Sequence, residues 1–140
     1  MREILFRGFA PIINEFVFGD LIHGVGCKKG ITFILPVVKN LAYLKGCSHL
    51  DGYEVVPETL GQFTGLIDKD GNKIFEGDIV KYYQPYLEKD ETGVVKWDKR
   101  WAFFGLFSKD NDWCQESDWV KIQDIEIIGN IHDNPELLEA

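Results

Sequence analysis

The sequence predicts a mainly β protein, a small antiparallel barrel architecture with an SH3-like barrel in its second half. Three observations carry that expectation. The 140 residues include ten Phe, five Tyr and four Trp, and ring side chains sit well on a pleated, half-buried surface. The apolar runs are short, and each is ended by Gly, Asp or Asn at intervals of about 10 to 15 residues, the spacing of a small barrel or sandwich. Finally, Gly77-Asp78 feeds an apolar strand, a polar loop follows, and Gly93 opens the next strand. In SH3-like barrels such a glycine permits the tight turn and the Asp side chain ties up its amides.

Taken in order, Ile4-Leu5-Phe6 opens as a brief strand, with Arg7-Gly8 after it. Glu15–Ile22 is the next, with Asn14-Glu15 near a turn and Gly19 as a bulge. Ile31–Leu35 is β-branched and aromatic, and Pro36 interrupts it, which implies an edge or bulged position. Val37–Leu44 reads equally as a strand or one helical turn. Pro57-Glu58-Thr59 suits a single helical turn with Pro in its first position. Asp68–Asn72 is a turn sequence, since Gly and Asn tolerate positive φ and Asp side chains bond nearby amides. It joins Phe63–Ile67 to Lys73–Phe75 as a hairpin. Ile79–Tyr82 then faces Thr92–Trp97 across the loop Gln84–Glu91. Trp101–Phe107 forms another strand, closed by the turn Lys109–Asp112. Ile125–Ile131 alternates as the last strand, and Asn134–Glu139 caps and starts a final helical turn.

A chain of 140 residues suits one domain or two small lobes. A weak boundary near residues 57–61 divides an N-terminal β lobe, 1–58, from the SH3-like lobe, 59–140, with one continuous domain as the alternative. The net charge of −8 is unevenly placed: residues 1–70 carry 7 Lys/Arg against 8 Asp/Glu, and residues 71–140 carry 8 against 15. The acidic half repels a phosphate backbone, which makes nucleic acid an unlikely general partner. Met1-Arg2-Glu3 leads into a short apolar–charged alternation with no visible signal peptide. No apolar run reaches the roughly 18 residues of a membrane span. Cys27, Cys47 and Cys114 are an odd, widely spaced set, which fits reduced thiols in a cytoplasmic protein.

Several blocks occur in a family order: Met1–Gly8, Phe16–Ile22, Val56–Leu66, Lys73–Val80, Gly93–Asp98 and Ile127–Leu138. Together they closely resemble the YopX family of phage and prophage proteins over nearly the whole chain. The resemblance implies a mostly β protein of phage or prophage origin with an SH3-like barrel in its second half, and it implies no particular chemistry. The chain departs from the family pattern at Asn14-Glu15-Phe16, where members often carry Gly-Glu-Trp, and in the apolar region 25–52.

The candidate chemistries are sparse. His23, Cys27, Cys47 and His49 could be gathered as a zinc site, but Gly24 and Gly26 make the first pair a loop and the spacing is not that of paired ligands. Asp68–Asn72 has its Gly fourth, not sixth, so it is a turn rather than a calcium loop. No cofactor or metal is expected. Catalysis would need Cys or Ser near His with an orienting acid. Cys114 has no local His, so no catalytic residue is assigned. The acidic residues Asp110, Asp112, Glu116, Asp118, Asp124 and Glu126 read as a solvated face. The binding hypothesis rests on aromatic side chains: Tyr82, Tyr86, Trp97, Trp101, Trp113 and Trp119. On an SH3-like barrel such loop aromatics line a groove for a peptide or stack bases, unless they fill the interior.

These readings point to a phage or prophage accessory protein, cytoplasmic in its host, that works by binding a host or phage protein and not as an enzyme. The apolar segment 31–44 offers an edge on which a homo-oligomer could assemble. One alternative is a nucleic-acid-associated SH3-like module, which requires Lys81, Lys96, Lys99 and Arg100 on one face and binding that weakens steeply with salt. Another is a nucleic-acid mimic. An enzyme would need a pocket that joins His23, Cys47 or His49 to acidic groups.

Overall fold

The computed structural model describes residues 2–23, 32–36, 52–85, 87–108 and 123–139. The chain divides into two compact units, Met1–Gln62 and Phe63–Ala140, where the sequence placed a boundary at 58/59. Strand pairing gives two antiparallel sheets, one of six strands and one of four. Among the described residues neither sheet closes into a barrel. The segments Val37–Leu44 and Lys109–Asp112 lie outside the described residues.

In the first unit, β1 (Phe6–Ala10), β2 (Glu15–His23), β3 (Thr32–Pro36) and β4 (Tyr53–Glu54) form an antiparallel run. The turn between β1 and β2 is closed by Asn14 at φ 55°. Asn is among the few non-glycine residues that adopt this conformation readily. It does there what a glycine would do. Gly19 is not a bulge. It pairs in regular register with Phe6 on one side and Pro36 on the other. A Cβ there would run into the Leu35 carbonyl, so close strand approach requires the glycine. Nor is β3 a free edge, because Phe33 and Ile34 pair with Glu54 and Tyr53 of β4 while β2 covers the other side. Pro36, which has no N–H to give, sits at the strand end that β4 does not reach. The edge expected in the 31–44 segment is therefore occupied over Thr32–Ile34.

Ala10, Val17, Ile34 and Val55 form the buried cluster of this unit, with Phe6, Tyr53 and Leu60 against it. A 3-10 turn, Pro57–Thr59, follows with Pro in its first turn. Thr59 fastens it: its hydroxyl donates to the Val56 carbonyl at 2.6 Å and accepts the Phe9 N–H at 2.8 Å. The strand β5 (Gly61–Ile67) then begins by pairing Gly61 and Gln62 with β1.

In the second unit the rest of β5 pairs with β6 (Lys73–Phe75) across the Asp68–Asn72 turn. The meander β7 (Asp78–Gln84), β8 (Lys89–Asp98), β9 (Phe103–Ser108) follows. Gly77 at φ 94° opens it, and the buried Asp78 carboxylate accepts the Phe75 N–H at 2.7 Å. The Asp thus ties up the turn as the Gly-Asp pattern implies. The strands run further into the polar loop than the sequence suggested, since Lys89–Glu91 pair with Tyr82–Gln84. The last strand, β10 (Gln123–Asn130), returns beside β7 with two register shifts. Ile74, Val80, Tyr82, Val95 and Leu106 form the core, with Phe104, Ile125 and Ile127 packed on it. Each fully buried aliphatic contributes about 1.5–3 kcal/mol. A 3-10 turn, Pro135–Leu138, ends the described chain. Asn134 does not cap it; its side chain accepts the Asn130 N–H instead.

Candidate functional site

Of the six aromatic residues singled out, the structure places three. Tyr82 is 1% exposed and belongs to the core, so it is a packing residue and not a recognition residue. Two residues from Val80 on β7, it falls on the same face and in the same core. Tyr86, Trp113 and Trp119 lie outside the described residues. Trp97 and Trp101 are 48% and 70% exposed, and they flank one turn.

That turn is built by Asp98. The sequence reading extended a strand through Trp101, but β9 starts only at Phe103 because Asp98 captures the intervening amides. Its carbonyl accepts the N–H of Ala102 at 2.8 Å and of Trp101 at 3.3 Å. Its carboxylate accepts the Arg100 N–H at 2.9 Å. The Arg100 guanidinium then closes on the same carboxylate through Nε at 3.2 Å and a terminal nitrogen at 3.1 Å, a two-point, charge-assisted contact. Ala102 completes the reversal at φ 55°. The Arg100 side chain and its backbone N–H hold the buried Asp98 carboxyl below the usual carboxylate range, although burial pushes the other way. A carboxylate so held stays ionised at neutral pH, which suits a structural anchor and not a proton shuttle.

Around the turn, Lys96, Trp97, Asp98, Lys99, Arg100 and Phe107 line a groove of about 350 Å³. Trp97 packs edge-on against its cross-strand partner Phe104, ring centroids 5.0 Å apart. The Lys96 ammonium lies over the Phe107 ring at 5.6 Å. Three of the four cations that the nucleic-acid alternative requires thus share one groove. The fourth, Lys81, pairs with Asp90 at 3.6 Å.

A larger cleft of about 740 Å³ lies in the first unit, lined by Pro11, Ile12, Phe33 and residues 52–57. Among the described residues Glu54 is the one carboxylate in its lining, and no nucleophile–base pair stands there. Cys27, Cys47 and His49 lie outside the described residues. Among the described residues no group of three or more His, Cys, Asp and Glu is placed to hold a metal ion. Asp68–Asn72 is a turn: Asp68 accepts the N–H groups of Asp70 and Asn72 at 2.9 and 2.8 Å. No described helix is long and apolar enough to cross a membrane.

The fold is similar to that of protein EF1440 from Enterococcus faecalis, with a TM-score of 0.58, 24% identity and 99% of each chain covered; at that identity the likeness is one of fold. No curated protein matches the chain. The family model described as YopX protein matches residues 5–139. The described elements from β1 to the final 3-10 turn all fall within that match, and the chain belongs to the YopX family.

Proposed function

We propose that this protein is a non-catalytic protein-interaction module of a phage or prophage, acting in the host cytoplasm, and that the tip of the β8–β9 hairpin is its recognition element. The observation that carries the reading is the exposure of two tryptophans, Trp97 and Trp101, on a turn fixed from within by Asp98. Clustered exposed apolar side chains mark interaction sites where single scattered ones do not. Tryptophans on a pre-organised turn lose little freedom on binding and so make efficient anchors. The strand order β10-β7-β8-β9, a meander whose last strand returns beside its first, supports reading the second unit as an SH3-like barrel. In that architecture loop tips carry recognition on a rigid scaffold.

The test is affinity capture from nuclease-treated host lysate with the tagged full chain. The wild-type protein is expected to retain a protein that both Trp97→Ala and Trp101→Ala lose. An identical captured set for all three proteins would overturn the assignment.

A further inference from the structure

We infer that the β8–β9 tip binds a short acidic segment of its partner, one that carries an apolar or aromatic residue beside its carboxylates. The inference rests on the interaction reading and narrows it to a chemical class. Residues 63–140 hold 9 Lys/Arg against 17 Asp/Glu, so a cation in this unit is expected to find a carboxylate nearby. Most described ones do: Lys69 pairs with Glu126, Lys81 with Asp90, Lys89 with Glu91 and Arg100 with Asp98. Lys96 and Lys99 differ. Among the described residues no carboxylate pairs with either, and Asp98, the one anion between them, is buried and already spent on Arg100.

The tip is therefore a small positive, aromatic spot on a strongly negative unit. Lys96 is held over the Phe107 ring, which keeps its charge beside the groove rather than free in solvent. Trp101, 70% exposed, stands two residues from Lys99, whereas Trp97 projects from the face of β8 opposite Lys96 and packs on Phe104. The complementary ligand is anionic with an apolar body. Its extent is also bounded. The positive spot spans only residues 96–101. The net negative charge of residues 63–140, 9 Lys/Arg against 17 Asp/Glu, repels an extended polyanion more than a short acidic segment, so a short acidic peptide fits better.

The test uses the full chain and a fluorescein-labelled decapeptide of alternating Glu and Leu, read by anisotropy. Three control probes accompany it: the same peptide with Gln for Glu, the same with Lys for Glu, and oligodeoxythymidylate of equal length. The Glu peptide is expected to bind, with the Gln peptide about tenfold weaker. Lys99→Glu and Lys96→Glu should each lower affinity at least tenfold, and Trp101→Ala should do so without changing the urea midpoint. Raising salt from about 0.05 M to about 0.5 M should weaken the Glu peptide more than the Gln peptide. Equal binding of Glu and Gln peptides that still needs Trp101 would overturn the acidic preference and leave the interaction reading standing. Tighter binding of oligodeoxythymidylate would make the partner a nucleic acid and overturn both. Absence of Glu-peptide binding up to about 1 mM, or binding indifferent to Lys99→Glu, would also overturn the inference.

Discussion

The turns at Asp68 and Asp98 use the same device for opposite ends. In each, a buried Asp accepts the N–H two residues on, and the reversal is completed by a residue at positive φ. In each the carboxyl sits below the usual range. For Asp68, burial works against this, and the N–H groups of Asn72 and Ile127 lead the hydrogen bonds that outweigh it. The difference lies in where the spare acceptor capacity goes. Asp68 reaches across 59 residues of sequence to the Ile127 N–H at 3.3 Å, and the Lys69 N–H donates to the Ile125 carbonyl at 2.8 Å. That turn is stapled to β10. Asp98 spends its second oxygen on Arg100, within its own turn, and leaves Trp101 in water. An inward-bonded carboxylate locks strands together; a self-contained one presents side chains.

The largest expected effect is that of Asp68→Ala, which leaves the Ile127 N–H and two turn amides without their acceptor. A loss of about 1–3 kcal/mol in urea denaturation is expected, with Asp68→Asn losing less because it keeps one oxygen. If Asp68→Ala is no more destabilising than Asp98→Ala, the distinction between staple and display turn falls. Acid titration sharpens the comparison next. The unfolded carboxyls titrate near 3.8, and both folded ones sit lower. As pH falls the unfolded chain takes up protons first, so the stability these groups supply is full above 3.8 and is lost as pH drops through their folded values. Urea midpoints measured from pH 6 downward should fall less steeply in Asp68→Asn than in the wild type; equal slopes would remove Asp68 as a source.

The smallest effects come from the positive-φ residues. Gly71, at φ 85° with nothing within 4 Å of a built Cβ, is limited by backbone strain alone. Gly71→Ala should lose about 1 kcal/mol. Ala102 already bears that strain, so Ala102→Gly should be neutral or gain about 0.5 kcal/mol, relief of strain being offset by the freer unfolded chain. Thermal midpoints moving in the same direction for both substitutions would show that the two turns are not built alike.

The Asp68 turn was legible in the sequence, though not its bonds to β10, and the Asp98 turn was not, for a physical reason. Asp68–Asn72 advertises its geometry through Gly71 and Asn72, and Gly77-Asp78 does the same. The stretch Trp97-Asp98-Lys99-Arg100-Trp101-Ala102 contains no Gly, Asn or Pro, its left-handed position being filled by Ala102. Its signal is an Asp followed two residues later by an Arg that folds back on it, which reads as ordinary surface charge. Alternation could have corrected Tyr82, singled out as a binding residue: it shares a face of β7 with Val80, and both belong to the core. Alternation does not say where a core ends. Val95 and Trp97 lie on one face of β8, yet Val95 is fully buried and Trp97 is half in water. Side-chain period gives direction across the sheet but not distance along it. The groove therefore emerged only once the register of β8 against β9 was known.

The long reach of Asp68 also bears on the order in which the second unit forms. Its meander closes through short chain segments, whereas β10 must find β7 across most of the unit's length, as in the pairing of Ile127 with Val80. Closing the longer loop carries the larger entropy, so the meander is expected to nucleate and β10 to dock afterwards. Amide hydrogen exchange should then find β10 opening in a sub-global unit that needs less free energy than the β7–β8 amides do. Lowering the pH should widen that gap, because protonating Asp68 releases the last strand to arrive.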